Sequence, residues 1–206
     1  MKQPKLRKRY IVFASLPLLY QSFVAPIAGS LSESWKRKSV VQESESVRQF
    51  ILSHKARISP PELEVLIETI LAESNQIQDG ACGIYCEEGE KVGLLLGIIR
   101  VESEFFRKAR SKKNARGYMQ VVPNTGAWMG RKEGIKVQPE SLFETKMNIH
   151  LGVSYLNHLI DSQEGNIRKA LLAYNAGPAA VKKWGGVKQY AEDVFYFQEE
   201  YLGMRK

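Results

Sequence analysis

Aspartate is scarce in this 206-residue chain: only Asp79, Asp161 and Asp193 occur, against nineteen glutamates. Between Gly80 and Ile160 there is none, so any carboxylate chemistry in that stretch falls to glutamate. Histidine is equally sparse, with His54, His150 and His158 far apart and no H-E-x-x-H pattern. Only two cysteines are present, Cys82 and Cys86. A zinc site needs about four ligands, and no histidine stands near this pair, so metal chemistry finds no support and no cofactor is implied. Internal repeats and low-complexity tracts are absent too, which excludes solenoids and long disordered arrays.

The charge is positive but unevenly placed. Of a formal net +8, five charges (Lys2, Lys5, Arg7, Lys8, Arg9) precede the first apolar run, and the rest of the chain carries only +3. A nucleic-acid binder needs its basic face on the folded domain, so the composition argues against nucleic acid as a partner. Tyr10 to Ser32 is uncharged and opens with the apolar run YIVFASLPLLY. A basic segment followed by an apolar one is the layout of an export signal, with small residues at Ala25, Ala28, Gly29 and Ser30 for cleavage. At about 20 residues it also reaches the span of a bilayer. Residues 1–30 are therefore expected to be a signal peptide or a membrane anchor. Either puts the body of the protein in the periplasm or cell envelope, where Cys82 and Cys86 point to a disulfide, with two free thiols as the alternative.

Residues 29–45 read as a polar linker, and residues 31–80 as linker plus helical cap. Ser46 to Lys55 has the pattern of a short helix. Ser59-Pro60-Pro61-Glu62 has the layout of a capping box with proline in the first turn. It opens a helix whose Leu63, Leu66, Ile67, Ile70 and Leu71 share one face. Glu88 to Ser103 is apolar around much of its circumference, as a central helix would be. Val121 and Val122 suggest a little strand, and Asn124 to Met129 a short helix. Further helices are predicted over 144–161, 166–174, 178–184 and 189–202. The class is mainly α, with a catalytic lobe over residues 81–206.

Glu102 closes the most apolar helix, next to Val101 and one turn from Ile98 and Ile99. Burial disfavours the charged carboxylate, so its pKa should rise, and a carboxyl group that keeps its proton near neutrality can protonate a leaving oxygen. Read alone, a glutamate at a helix end is equally an ordinary partner for Arg100 or Arg107. The blocks that follow it decide the matter: Glu102-Ser103, Ser111, Gly117-Tyr118-Met119-Gln120, Asn148-Ile149 with Gly152 and Tyr155-Leu156, then Ala173-Tyr174-Asn175-Ala176-Gly177-Pro178. In this order, over about residues 90–200, they resemble the catalytic domain of soluble-type lytic transglycosylases.

The resemblance implies a lysozyme-like fold carrying an N-terminal helical extension. It implies cleavage of the MurNAc-β-1,4-GlcNAc bond of peptidoglycan strands with formation of a 1,6-anhydro ring. Glu102 would serve as sole acid and base. Ser111, Gly117, Met119, Gln120, Tyr174, Asn175 and Tyr190 would line the substrate, with Tyr190 reaching back toward the carboxyl group. The absence of nearby aspartate agrees, because a two-carboxylate glycosidase needs a second acid across the bond and substrate-assisted enzymes do not. Asn114 and Tyr118 are tolerable departures from common members, whereas Glu104-Phe105-Phe106 departs where it bears on the shape of the adjacent subsite and not on the acid. Hydrolysis in the manner of goose-type lysozyme, or a non-catalytic wall-binding role in an envelope-spanning secretion apparatus, are the competing readings. The basic run Arg107, Lys108, Arg110, Lys112, Lys113 and Arg116 offers a rim for anionic peptide stems, or an ordinary solvated loop.

Overall fold

The computed structural model describes residues 38–79 and 88–205. The signal or anchor segment and the pair Cys82/Cys86 lie outside the described residues. Among the described residues eight helices follow in chain order: α1 over residues 38–53, α2 Pro60–Ser74, α3 Glu88–Ser103, α4 Pro123–Glu133, α5 Thr145–Ser162, α6 Ile167–Ala176, α7 Pro178–Trp184 and α8 Lys188–Met204. A short 3-10 turn, Pro139–Phe143, precedes α5. No β-strand forms among the described residues; Val121 and Arg110 each make an isolated antiparallel bridge to Arg116. No helix among the described residues is long and apolar enough to cross a membrane.

Helix α3 occupies the centre because its middle, Val92 to Ile99, carries no polar side chain. Val92, Leu94, Leu95, Leu96, Ile98 and Ile99 are all buried, and each such side chain contributes about 1.5–3 kcal/mol on leaving water. Its main partner is α8. The two approach closely at Gly93 and Gly97: a β-carbon at Gly97 would sit 2.4 Å from the Val194 carbonyl oxygen, and one at Gly93 would sit 3.1 Å from the Tyr201 ring. Helix α2 packs on α3 and α5 through Leu63, Leu66, Ile67 and Ile70. Helix α5 in turn carries α4, α6 and the 3-10 turn.

Two expectations about the N-terminal cap are revised. The stretch read as linker is already helical from residue 38. Its Glu43 is held by the Tyr201 hydroxyl of α8 and by Nε of Arg205, just past the end of α8, at 2.9 Å, so polar residues here serve contact with α8. The capping box at Ser59 does not close, since the Ser59 side chain makes no cap hydrogen bond. The Glu62 carboxylate is engaged elsewhere, accepting from the Tyr118 and Thr145 hydroxyls, with Arg107 Nε 3.6 Å away. Those distant partners, which a local pattern cannot register, outcompete the backbone N–H of Ser59. Helix α6 is capped by Asn166, whose Oδ1 accepts the Lys169 N–H at 3.0 Å.

Candidate active site

Helix α3 ends just past Glu102. Glu104 and Phe105 both take left-handed backbone angles (φ 50° and 60°). Such angles are unfavourable for residues with a side chain, and they reverse the chain so that Phe105 is buried while Phe106 is left exposed. The reversal leaves Glu102 facing a cleft of about 710 Å³, shared with Ser111, Gln120 and Arg110.

The Tyr190 hydroxyl, brought from α8, donates to Glu102 Oε1 at 2.7 Å. This contact follows from the Gly93/Gly97 seam, because a larger residue there would push α8 and its tyrosine away. The carboxyl group is pushed up to about 7, chiefly by burial among apolar side chains, while the Tyr190 hydrogen bond opposes the rise by favouring the anion. Tyr190 and Tyr174 are themselves driven well above the ordinary tyrosine value, by burial first and by the neighbouring Glu102 charge second. Both therefore remain protonated donors. Of the two tyrosines late in the chain, Tyr190 reaches Glu102, whereas Tyr196 is 65% exposed.

The remaining residues singled out in the sequence divide into two groups. Ser111 and Gln120 line the cleft beside Glu102. Ser111 Oγ accepts the Ala115 N–H at 3.1 Å and so also closes its own loop. Gln120 has φ 47° and gives its Nε2 hydrogens to the carbonyls of Gly117 and Ala109. Tyr174 donates to the Met119 carbonyl at 2.9 Å, and its ring lies 5.5 Å from that of Tyr155. Asn175 is exposed on the last turn of α6.

Gly117, Met119 and Asn148 form a buried bracket behind the cleft. Asn148 Nδ2 donates to the carbonyls of Arg116 (2.8 Å) and Leu142 (2.7 Å), while its Oδ1 accepts the Met119 N–H at 2.8 Å. Gly117 has φ 75°, and a β-carbon there would lie 2.5 Å from Asn148 Nδ2. The bracket fixes the loop that carries Gln120.

The basic run after Glu102 is largely committed to the fold. Arg116 is buried and pairs with Glu140 at 2.7 Å. Arg107 lies 3.6 Å from Glu62 and donates to the Phe143 carbonyl. Lys108 sits over the Phe143 ring. From this run only Arg110 lines the cleft. Sequence reasoning missed the opposite wall, made by His54, Lys55 and Arg57 from the turn between α1 and α2. A turn of charged residues some 45 positions before Glu102 gives no local sign of facing it.

Comparison with known proteins points to one family. The family model described as the transglycosylase SLT domain matches residues 85–195. The soluble lytic murein transglycosylase of Salmonella typhimurium is 34% identical over 106 residues, covering 50% of this chain and 16% of that protein. The membrane-bound lytic murein transglycosylase C of Histophilus somni is 43% identical over 98 residues, covering 43% of this chain and 27% of that protein. The chain thus spans less than a third of the length of these relatives. Among solved structures, the lytic transglycosylase Slt of Pseudomonas aeruginosa, crystallised as an inactive Glu-to-Gln mutant, superposes with a TM-score of 0.55 at 27% identity, over 65% of this chain and 23% of that one. The 70-kDa soluble lytic transglycosylase of Escherichia coli gives 0.54 at 19% identity, over 75% and 28%, a likeness of fold alone. The fold is the mainly α, lysozyme-like one that the resemblance implied.

Proposed function

The chain belongs to the transglycosylase SLT domain family, and from that footing we propose that it is a lytic murein transglycosylase acting in the cell envelope with Glu102 as its single acid and base. The observation that carries this reading is the enclosed carboxyl group of Glu102, held at about 7 with Tyr190 on one oxygen. Near neutrality a large fraction of such groups carries a proton, as general acid catalysis requires. Glu102 gives this proton to the glycosidic oxygen between MurNAc and GlcNAc as the bond to the anomeric carbon breaks. The resulting carboxylate takes the proton of the muramyl 6-hydroxyl as that oxygen bonds to the same carbon. Glu102 is thereby restored, no water is consumed, and a 1,6-anhydro end results.

Glu104, the other carboxylate lining the cleft, is exposed and lies 3.8 Å from Arg100, so it is poorly suited to serve as a partner acid. The Glu-to-Gln mutant of the Pseudomonas relative, described as inactive, agrees with a glutamate-dependent reaction. Tyr190 steadies the anionic state through which Glu102 passes, while Gln120 and Ser111 present polar groups to the sugar.

Digestion of purified sacculi with the full chain, followed by mass spectrometry of the fragments, tests the reading. The expected fragments end in anhydro-muramic acid, one water lighter than reducing ends, and they vanish in Glu102→Gln. Reducing ends would mean hydrolysis instead. Undiminished turnover in Glu102→Gln would remove the acid from the mechanism. Binding of the unsubstituted chain without any cleavage would favour a wall-binding role.

A further inference from the structure

The family match begins at residue 85, yet a carboxylate from α2 reaches into the catalytic lobe. Glu62 stands in the first turn of α2 and does not line the Glu102 cleft. We propose that Glu62 is a positioning residue for the reaction: by gathering Tyr118, Thr145 and Arg107 on one carboxylate, it sets the chain leaving Glu102 and the turn carrying Gln120 against the acid. The inference rests on the murein reading above and adds a residue of the N-terminal cap on which the rate depends.

Oε1 of Glu62 accepts the Tyr118 hydroxyl at 3.0 Å and also the Thr145 hydroxyl. Oε2 lies 3.6 Å from Arg107 Nε. Each partner belongs to a different segment. Tyr118 sits in the turn Gly117 to Gln120, Arg107 in the chain that leaves Glu102, and Thr145 at the first residue of α5. Arg107 reaches further, donating to the Phe143 carbonyl at 3.3 Å in the 3-10 turn. Beside these contacts lies a recess of about 220 Å³, lined by Glu62, Phe106, Arg107 and Tyr118 among others. Phe106 lines both this recess and the cleft, so a shift in the Glu62 contacts has a direct route to the acid.

The turn from Gly117 to Gln120 needs such a hold. Gly117 and Gln120 both have positive φ (75° and 47°), and an unfavourable backbone persists only where its surroundings over-determine it. Asn148 of α5 accepts the Met119 N–H and Tyr174 of α6 donates to the Met119 carbonyl. Glu62 adds a third grip, from α2, on the residue between Gly117 and Met119. That grip is firm. Tyr118 is fully buried, and burial first, with the Glu62 charge second, keeps its hydroxyl protonated as a donor. A buried hydroxyl left without an acceptor is costly, so loss of Glu62 drives Tyr118 to seek another partner and carries the turn with it. Gln120 follows two residues on and lines the cleft. A displacement of about 1 Å at a reacting site is enough to cost a large factor in rate.

The test compares the full chain with Glu62→Ala, Glu62→Gln, Tyr118→Phe and the double variant Glu62→Ala/Tyr118→Phe. Turnover of soluble murein strands is measured at a temperature where circular dichroism shows each variant folded. Glu62→Ala should lower kcat about tenfold and move KM by less than about twofold, because the strand still binds the rest of the cleft. Glu62→Gln keeps an acceptor for both hydroxyls and should recover most of that loss. Tyr118→Phe removes one hydroxyl, should cost roughly threefold, and serves where Glu62→Ala does not fold. The double variant should lose less than the product of the two single losses, since both remove the same hydrogen bond. Ile67→Val, a core substitution on the same helix, should leave kcat nearly unchanged; an equal loss there would mean mere loosening of α2 and would overturn the proposal. Hydrogen exchange read by mass spectrometry needs no turnover: peptides over residues 104–120 should exchange faster in Glu62→Ala and Tyr118→Phe, and those of α8 should not. An unchanged kcat, a loss confined to KM, fully multiplicative losses or unaltered exchange over 104–120 each overturn the positioning role. A parent that releases no anhydro fragment defeats the transglycosylase reading instead, while the exchange result still decides whether Glu62 holds these segments.

Discussion

Replacing Glu102 by glutamine should stabilise the protein at neutral and alkaline pH while leaving it little changed in acid. The folded carboxyl group has its pKa raised from the ordinary 4.5 to about 7. Between those values the folded chain binds more protons than the unfolded one, so stability falls as pH rises through this window. Below 4.5 both states are protonated and nothing is lost; above about 7 the full cost of the enclosed anion is present. At ~1.36 kcal/mol per pH unit, the gap corresponds to about 3 kcal/mol. For a chain of this size that is a difference of roughly 6–12 °C in melting temperature. Glutamine does not titrate, and every other group is common to both proteins. The difference in stability between variant and parent should therefore grow by about 3 kcal/mol from pH 4 to pH 8, measured by urea unfolding at each pH. Constant terms, such as the fit of the amide against Tyr190, cancel in that comparison. A difference that stays flat or shrinks would refute the claim that burial raises this carboxyl group.

Asn148→Ala should cost about 3 kcal/mol of stability, because three backbone hydrogen bonds are lost and two buried carbonyls and one N–H are left without that partner; a urea denaturation midpoint within error of the parent would contradict the bracket. His150 lies between Glu73 (3.2 Å) and Glu133 (2.7 Å). Burial pulls its pKa down, but the two carboxylates outweigh that and leave it above the usual histidine value of 6.5. Its stabilising contribution is then complete below about 6.5 and lost as pH rises through the folded value. His150→Gln should lower the melting temperature at pH 5.5 and leave it nearly unchanged at pH 9. Because the site is partly exposed, the effect should remain under about 1 kcal/mol.

Much of this site could be read from the chain because its central fact is local. A run as apolar as Val92–Ile99 is bound to be buried, and a glutamate three residues on is carried into the same surroundings. The helices followed from periodicity for the same reason. What the sequence withheld was long-range. Glu62 has the spacing of a capping box, but Tyr118 and Thr145 claim its carboxylate from 56 and 83 residues away. Gly117 reads as room for a sugar, yet its missing β-carbon is occupied by Asn148. The basic run after Glu102 looks like a single rim, and only tertiary partners reveal that Arg107 and Arg116 are already committed. Lys55 and Arg57 carry no pattern at all, and only the fold shows that their turn lands on the cleft.

The seam between α3 and α8 has a consequence for how the acid could be tuned. Two missing methyl groups, at Gly93 and Gly97, govern how near one helix backbone runs to another, and Tyr190 rides on that separation. The acidity of Glu102 thus depends on Gly93 and Gly97, which lie outside the cleft and act only through the spacing of the two helices. A change in the pKa of Glu102 therefore need not alter a single residue of the cleft.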